Sequence, residues 1–134
     1  MAGSTKCWPD VNLPPLQPGV VLRPLAEGAH AFVVLSHPAA DGRLLVAAWT
    51  TLDEQCPDDE CLLQPSDHPE ISHASALAFS RARLWEAAKI QQSMTAGAVR
   101  LAAPLSPTVL KRVIASAHAA RALRREWKSL LPAS

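Results

Sequence analysis

Between Gly19 and Phe79 the apolar residues fall in short runs, each closed by proline, glycine or a polar cluster. Val20–Arg23 predicts a first short strand. His30–Ser36 (His-Ala-Phe-Val-Val-Leu-Ser) and Arg43–Thr51 (Arg-Leu-Leu-Val-Ala-Ala-Trp-Thr-Thr) are rich in β-branched and aromatic residues and predict the two clearest strands. Between them, His37 to Gly42 carries Pro38 and the Asp41-Gly42 pair, chemistry suited to a hairpin connection. Leu52–Glu60 reads as a loop. Cys61–Leu63 and Ser75–Phe79 are the next strands, separated by the turn-like Gln64-Pro65-Ser66-Asp67-His68-Pro69. Residues 76–92 carry two patterns at once, helix-forming residues throughout and a strand-like alternation of Leu77 and Phe79. From the residues alone the choice stays open, because helix propensity is a weak prior that tertiary context overrides.

Farther on, the periodicity changes. Ser106 is placed to cap a helix, Pro107 suits its first position and Leu105 is placed to staple it, which predicts one long C-terminal helix over 106–131. Its apolar positions form two stripes: Leu110, Val113, Ile114 and Ala117, then Ala120, Leu123, Trp127 and Leu130, rotated by about a quarter turn. Either the helix kinks near Ser116–Ala119, or its halves pack on different surfaces. An exposed face around Trp127 would be a patch that soluble monomers avoid, so the second stripe predicts a homodimer contact. At the other end, Pro9, Pro14, Pro15 and Pro18 make residues 1–18 an extended arm. Trp8 reads there either as an anchor onto the body or a neighbouring subunit, or as a stray residue in a disordered tail. Residues 19–134 form the single domain.

Composition narrows this picture. The 134 residues suit one domain, and 49% hydrophobic against 19% charged residues is a mix that can bury a core. Twelve prolines and no tyrosine oppose a helical bundle. The start lacks the basic and apolar regions of a secretory signal, and no apolar run approaches the roughly 20 residues of a membrane span. Three cysteines, Cys7, Cys56 and Cys61, are few and odd in number for a disulfide-stapled domain. A cytoplasmic protein without membrane contact is the expectation. The net charge is only +1, but residues 1–107 hold seven Lys/Arg against eleven Asp/Glu, whereas 108–134 hold six against one. That asymmetry points to an interaction surface.

Two constellations follow from spacing. Cys56-x4-Cys61-x6-His68-x4-His73 offers zinc's preferred donors, but six residues separate the pairs where zinc fingers use about twelve. No metal and no cofactor are therefore expected, and Cys61 reads as a small buried hydrophobe. On a continuous helix Arg121, Arg124, Arg125 and Lys128 share one face. They are either a solvated stripe or a binding surface for phosphates or for an acidic partner such as Asp53, Glu54, Asp58, Asp59 and Glu60 of a second subunit.

The run Gly19-Val20-Val21-Leu22-Arg23-Pro24, followed by the two strongest strands, resembles the PemK/MazF-like toxin superfamily of bacterial toxin–antitoxin pairs. It looks closer still to a PemK-like branch marked here by Cys61, Ser66-Asp67-His68-Pro69, Ile71, His73 and Ser75, with Leu105-Ser106-Pro107-x-x-Leu110 at the helix start. The match spans about half the chain. The resemblance implies a mainly β fold, a small SH3-like antiparallel barrel with a long C-terminal helix, and it favours strands over residues 76–92. It also implies a metal-independent endoribonuclease on single-stranded RNA, with a cognate antitoxin as partner. In the family the second strand opens the site and the third ends in a Thr or Ser that lines it, which carries over to Thr50 and Thr51. The chain departs from the family at Ala29-His30, where RNA-cleaving members have Arg-Pro. His30 can replace that arginine as an acid/base or when protonated.

Cleavage by 2′-hydroxyl attack needs a base, an acid and a stabiliser of phosphorane charge. His30, His68 and His73 are the candidates for proton transfer, Arg23 for charge, and Thr50 and Thr51 for hydrogen bonds. The plainer reading makes His68 a turn cap and the two threonines ordinary strand-end residues. Two function classes stay open: a toxin-like ribonuclease, and a non-catalytic barrel that binds nucleic acid or a protein partner.

Overall fold

The computed structural model describes residues 15–52 and 59–133. Seven strands, β1 (Val21–Pro24), β2 (Phe32–Val34), β3 (Arg43–Thr51), β4 (Leu62–Leu63), β5 (Ser75–Leu77), β6 (Arg83–Glu86) and β7 (Val99–Ala102), form an antiparallel sheet. Helices α1 (Ala87–Thr95) and α2 (Pro107–Ala119) accompany it. The strand order is β4-β5-β3-β2-β1-β7, with β6 also paired to β3. The nine-residue β3 organises the sheet. Val46 to Ala48 pair with β2 along one edge, while on the other edge the first half of β3 pairs with β6 and its last three residues pair with β5.

Side chains alternate across a strand, and here both faces are buried. Val21, Val33, Leu35, Leu45, Ala47 and Trp49 enter one core, which α2 covers with Val109, Val113, Ile114 and Ala117. Leu22, Val34, Leu44 and Val46 enter a second core with Ile90 of α1. Two-sided burial is why these strands read as continuous apolar runs rather than as an in–out alternation. A polar group in this interior is matched: the buried Ser36 hydroxyl accepts the Leu45 N–H at 2.9 Å.

The path is open between β4 and β7. Side chains, not a ladder, cross that seam. In the β4–β5 connection, Nε2 of His68 bonds the Ala103 carbonyl just past β7, and Glu70 meets Arg100 on β7. Arg112 of α2 ties the same connection down through Asp67 at 2.7 Å, and that guanidinium holds the Asp67 carboxyl below its usual range.

The strands expected at Val20–Arg23 and His30–Ser36 are found as β1 and β2 within two residues at each end, Arg43–Thr51 is β3 to the residue, and the Asp41-Gly42 turn forms as read, with Gly42 at φ 82° and Asp41 accepting the Arg43 N–H. Two expectations are corrected. The strand reading of 76–92 holds for Ala76–Leu77 of β5 and for β6, but Phe79–Arg81 is a 3-10 turn and Ala87–Thr95 is α1. Ile90 is buried in the second core and Met94, one turn on, packs against it. The helix stops where Gly97 takes φ 82°, with Gly97 N–H bonded to Met94 O and Ala98 N–H to Ser93 O, a glycine-terminated Schellman end.

The second correction concerns the C-terminus. Ser106 caps α2 by accepting the Val109 N–H, as expected, but the helix ends at Ala119 rather than 131. Ala120 is extended, and a short 3-10 turn, Arg125–Leu130, follows. The break falls at the junction of the two apolar stripes, near the kink position that the sequence marks. It lets Ala120, Leu123 and Leu131 enter the core that Val113 and Ala117 occupy, with Trp127 packed against it. The stripe that predicted a homodimer is thereby largely used inside the chain. Arg121, Arg124, Arg125 and Lys128 no longer share a helix face: Arg124 lies over the Trp127 ring at 4.8 Å, and Lys128 Nζ donates to the His118 carbonyl at 3.0 Å.

Glu60 holds the broken end. Its carboxylate accepts the Arg121 N–H at 2.7 Å and the Ala122 N–H at 3.1 Å. Glu60, a candidate partner for a second subunit, instead binds its own chain, while residues 53–58 with Cys56, and residues 1–14 of the arm with Trp8, lie outside the described residues; Leu16 of the same arm is buried in the second core. The Arg121 hydrogen bond, above all, keeps the Glu60 carboxyl below the ordinary glutamate range. With a depressed folded-state pKa, its stabilisation is present above that range and is lost as pH falls through the lowered value. Glu60→Gln is expected to lower Tm by about 4 °C and to speed tryptic cleavage after Arg121, Arg124 and Arg125. Unchanged melting and proteolysis would show that the contact holds nothing.

Candidate functional site

A groove of about 460 Å³ opens where the ends of β1, β3 and β7 meet the β1–β2 loop and the segment leading into β5. It brings together His30, Thr51, His73 and Arg23 of the residues singled out from sequence, and adds Glu70, Ser72 and Arg100.

The His73 wall is built by register. Thr51, the last residue of β3, pairs with Ser75, the first of β5, so His73 falls just beyond the end of the ladder. The buried Ser75 hydroxyl donates to the His73 carbonyl at 2.9 Å and fixes the backbone beneath the imidazole. The ring sits between two hydroxyls: Thr51 Oγ1 is 2.7 Å from Nε2, and Ser72 Oγ is 3.0 Å from Nδ1. Either hydroxyl can donate or accept, so this arrangement orients the ring in both neutral tautomers. His73 itself is exposed.

The second wall carries charge. Arg23 on β1 and Arg100 on β7 are direct cross-strand partners. Like charges placed so are destabilising. Glu70 relieves them: Oε1 lies 3.5 Å from Arg23 Nε, and Oε2 lies 3.0 Å from Arg100 Nη2. His30 is exposed at the end of the β1–β2 loop, where Gly28, at φ 76°, makes the turn. The lining sets the two arginines of the groove against two carboxylates, Glu27 and Glu70, beside the imidazoles of His30 and His73.

Two expected catalytic residues, His68 and Thr50, lie elsewhere. His68 is 3% exposed and does not line the groove. Its Nδ1 accepts the Glu70 N–H at 3.0 Å, so the ring proton is on Nε2, which donates to Ala103 O. The ring packs on Trp49 with centroids 5.4 Å apart. His68 thus holds two groove residues, Glu70 and Trp49, from behind, which is close to the turn-capping role. Thr50 pairs with Ala76 and, by strand alternation, faces opposite to Thr51. Arg121, Arg124, Arg125 and Lys128 do not line the groove either.

Among the described residues no group of three or more His, Cys, Asp or Glu could hold a metal ion. Cys61 is buried, and burial pushes its thiol pKa up, away from the thiolate a metal would need. No helix among the described residues is long and apolar enough to cross a membrane.

Glu70, Ser72 and Arg100 escaped the reading of the sequence. Nothing local marks them: Arg100 is one cation in a short strand, and it becomes a site residue only through the pairing of β7 with β1. No protein-family model and no curated protein matches the chain.

Proposed function

We propose that the chain is a toxin-type endoribonuclease, built on an SH3-like strand plan, that cleaves single-stranded RNA without a metal. The observation that carries this reading is the meeting of two imidazoles, His30 and His73, with the guanidiniums of Arg23 and Arg100 in one groove. Those groups supply a base, an acid and a charge stabiliser. His73, oriented by Thr51 and Ser72, takes the proton of the 2′-hydroxyl. The O2′–P bond forms, the P–O5′ bond breaks, and His30 returns a proton to the departing O5′, leaving a 2′,3′-cyclic phosphate. Arg23 and Arg100 face the charge that accumulates on the phosphorane oxygens.

The family's Arg-Pro pair is missing at Ala29-His30, yet Arg23 shares the groove with His30, and Arg100 stands directly opposite it. The cation is thus supplied from β1 and β7. A cytoplasmic RNA substrate and a cognate antitoxin that covers the groove complete the reading. Self-association would then have to use a surface other than the Trp127 stripe. The missing arginine favours a second reading, in which the same groove binds RNA or a protein partner without cleaving.

Purified protein incubated with single-stranded RNA in chelator is expected to yield fragments ending in 2′,3′-cyclic phosphate, and its expression is expected to arrest growth. RNA affinity should fall as salt rises. RNA left intact, together with normal growth, would remove the catalytic reading and leave the binding module.

A further inference from the structure

Glu70 holds the two arginines loosely. Arg100 reaches both carboxylate oxygens through the single nitrogen Nη2, at 3.2 and 3.0 Å, and Arg23 stands at 3.5 Å through Nε. Neither guanidinium presents a two-nitrogen fork to the carboxylate, the geometry in which arginine binds an oxyanion most strongly. The three side chains are also partly open to water, at 35% for Arg23, 49% for Arg100 and 22% for Glu70. Ion pairs of that kind are weak and exchange readily.

A purely structural role, pinning the β4–β5 connection across the open seam, does not need this carboxylate. The connection is already held by His68 on Ala103 O and by Arg112 on Asp67, and the Glu70 backbone is fixed by its N–H on His68 Nδ1. The Glu70 side chain can therefore swing away while its backbone stays in place. What the carboxylate does is neutralise a like-charged cross-strand pair in the groove.

We propose that Glu70 is an internal stand-in for a substrate phosphate: it occupies the Arg23–Arg100 pair until an RNA phosphodiester displaces it. This rests on the groove being an RNA site, and it assigns the pair as a phosphate subsite that Glu70 keeps shut to weaker anions. A phosphodiester can present its two free oxygens to the forks of both arginines, whereas Glu70, tethered from one side, does not.

The test uses a single-stranded oligonucleotide carrying 2′-O-methyl groups throughout, which cannot be cleaved. Glu70→Gln is expected to tighten its binding about fivefold. Arg100→Ala is expected to weaken it and to shallow the salt dependence, by about 0.7 in the log–log slope for one lost phosphate contact. Added to Arg100→Ala, Glu70→Gln should give much less than its gain in the wild-type background. Binding by Glu70→Gln that is unchanged or weaker would overturn the proposal. A thermal melt checks that this variant is folded. If it is not, the wild-type protein decides: on titration with the same oligonucleotide, the Nε–H resonances of Arg23 and Arg100 and the carboxylate carbon of Glu70 must all move, and a static carboxylate sinks the idea. Tightened binding without cleavage of ordinary RNA by the wild type would keep the subsite and discard catalysis. Cleavage with no tightening would do the reverse.

Discussion

His73→Ala is expected to lower the rate of RNA cleavage by about 10²–10⁴-fold while leaving affinity for a non-cleavable oligonucleotide within about twofold, because a positioned proton-transfer group contributes on that scale to the transition state. In the proposed mechanism His73 serves as a base rather than as an anchor, so its loss should appear in kcat and hardly in binding. Thr51→Val removes one of the two hydroxyls that hold the ring and should cost less, by misorientation, with Ser72 still in place. His30→Ala should match His73→Ala in size, and the double variant should fall little further, since an acid and a base working on one step do not add. Single-turnover cleavage alongside equilibrium binding separates these outcomes. A His73→Ala protein that cleaves at the wild-type rate ends the assignment of His73, and a loss confined to affinity turns it into a binding residue.

His68→Ala should instead destabilise the fold by about 3 kcal/mol in a denaturant titration. The ring is buried, its nitrogens satisfy the Glu70 N–H and the Ala103 carbonyl, and it packs against Trp49. Truncation would open a cavity and leave both backbone groups short of a partner. His68→Gln, which can reach one of them, should recover part of the loss. Catalysis should suffer only through the displacement of Glu70 and Trp49, so at a temperature where the variant is folded, cleavage should fall far less than in His73→Ala. A variant with the wild-type unfolding midpoint would show that the seam is held without His68. One that is stable and wholly inactive would return this histidine to the chemistry.

These two histidines show where reading the sequence succeeds and where it stops. Both lie in Asp67-His68-Pro69-Glu70-Ile71-Ser72-His73, and as letters both were equal candidates for proton transfer and equal members of the Cys–His constellation. The proton-transfer candidacy came from residue type under the ribonuclease resemblance, and the zinc spacing was already poor; their environments separate them. His68 turns inward beneath Trp49, and His73 stands in the open beside Thr51. Thr50 and Thr51 were likewise equivalent as letters, and the strand's alternation, once its register with β5 is set, gives the groove to Thr51 alone.

The sequence by itself determined the local elements with strong signals: β3 to the residue, the Asp41-Gly42 turn, the Ser106 cap with Pro107, and a discontinuity in the C-terminal apolar pattern near Ser116–Ala119. Each rests on interactions within a few residues, such as β-branching, a left-handed glycine or a cap hydroxyl, and so is written locally. The tertiary structure alone decided what depends on partners far along the chain. Residues 87–95 became α1 because a buried surface was available for Ile90 and Met94. The helix expected to reach 131 ended at Ala119 because Leu123 and Leu131 bury in the core only if the chain turns, and Glu60, some sixty residues away, caps the freed N–H groups. The Arg23–Arg100–Glu70 cluster exists because β7 lies beside β1 and the β4–β5 connection closes over them. Long-range pairing of that kind leaves no periodicity in the sequence.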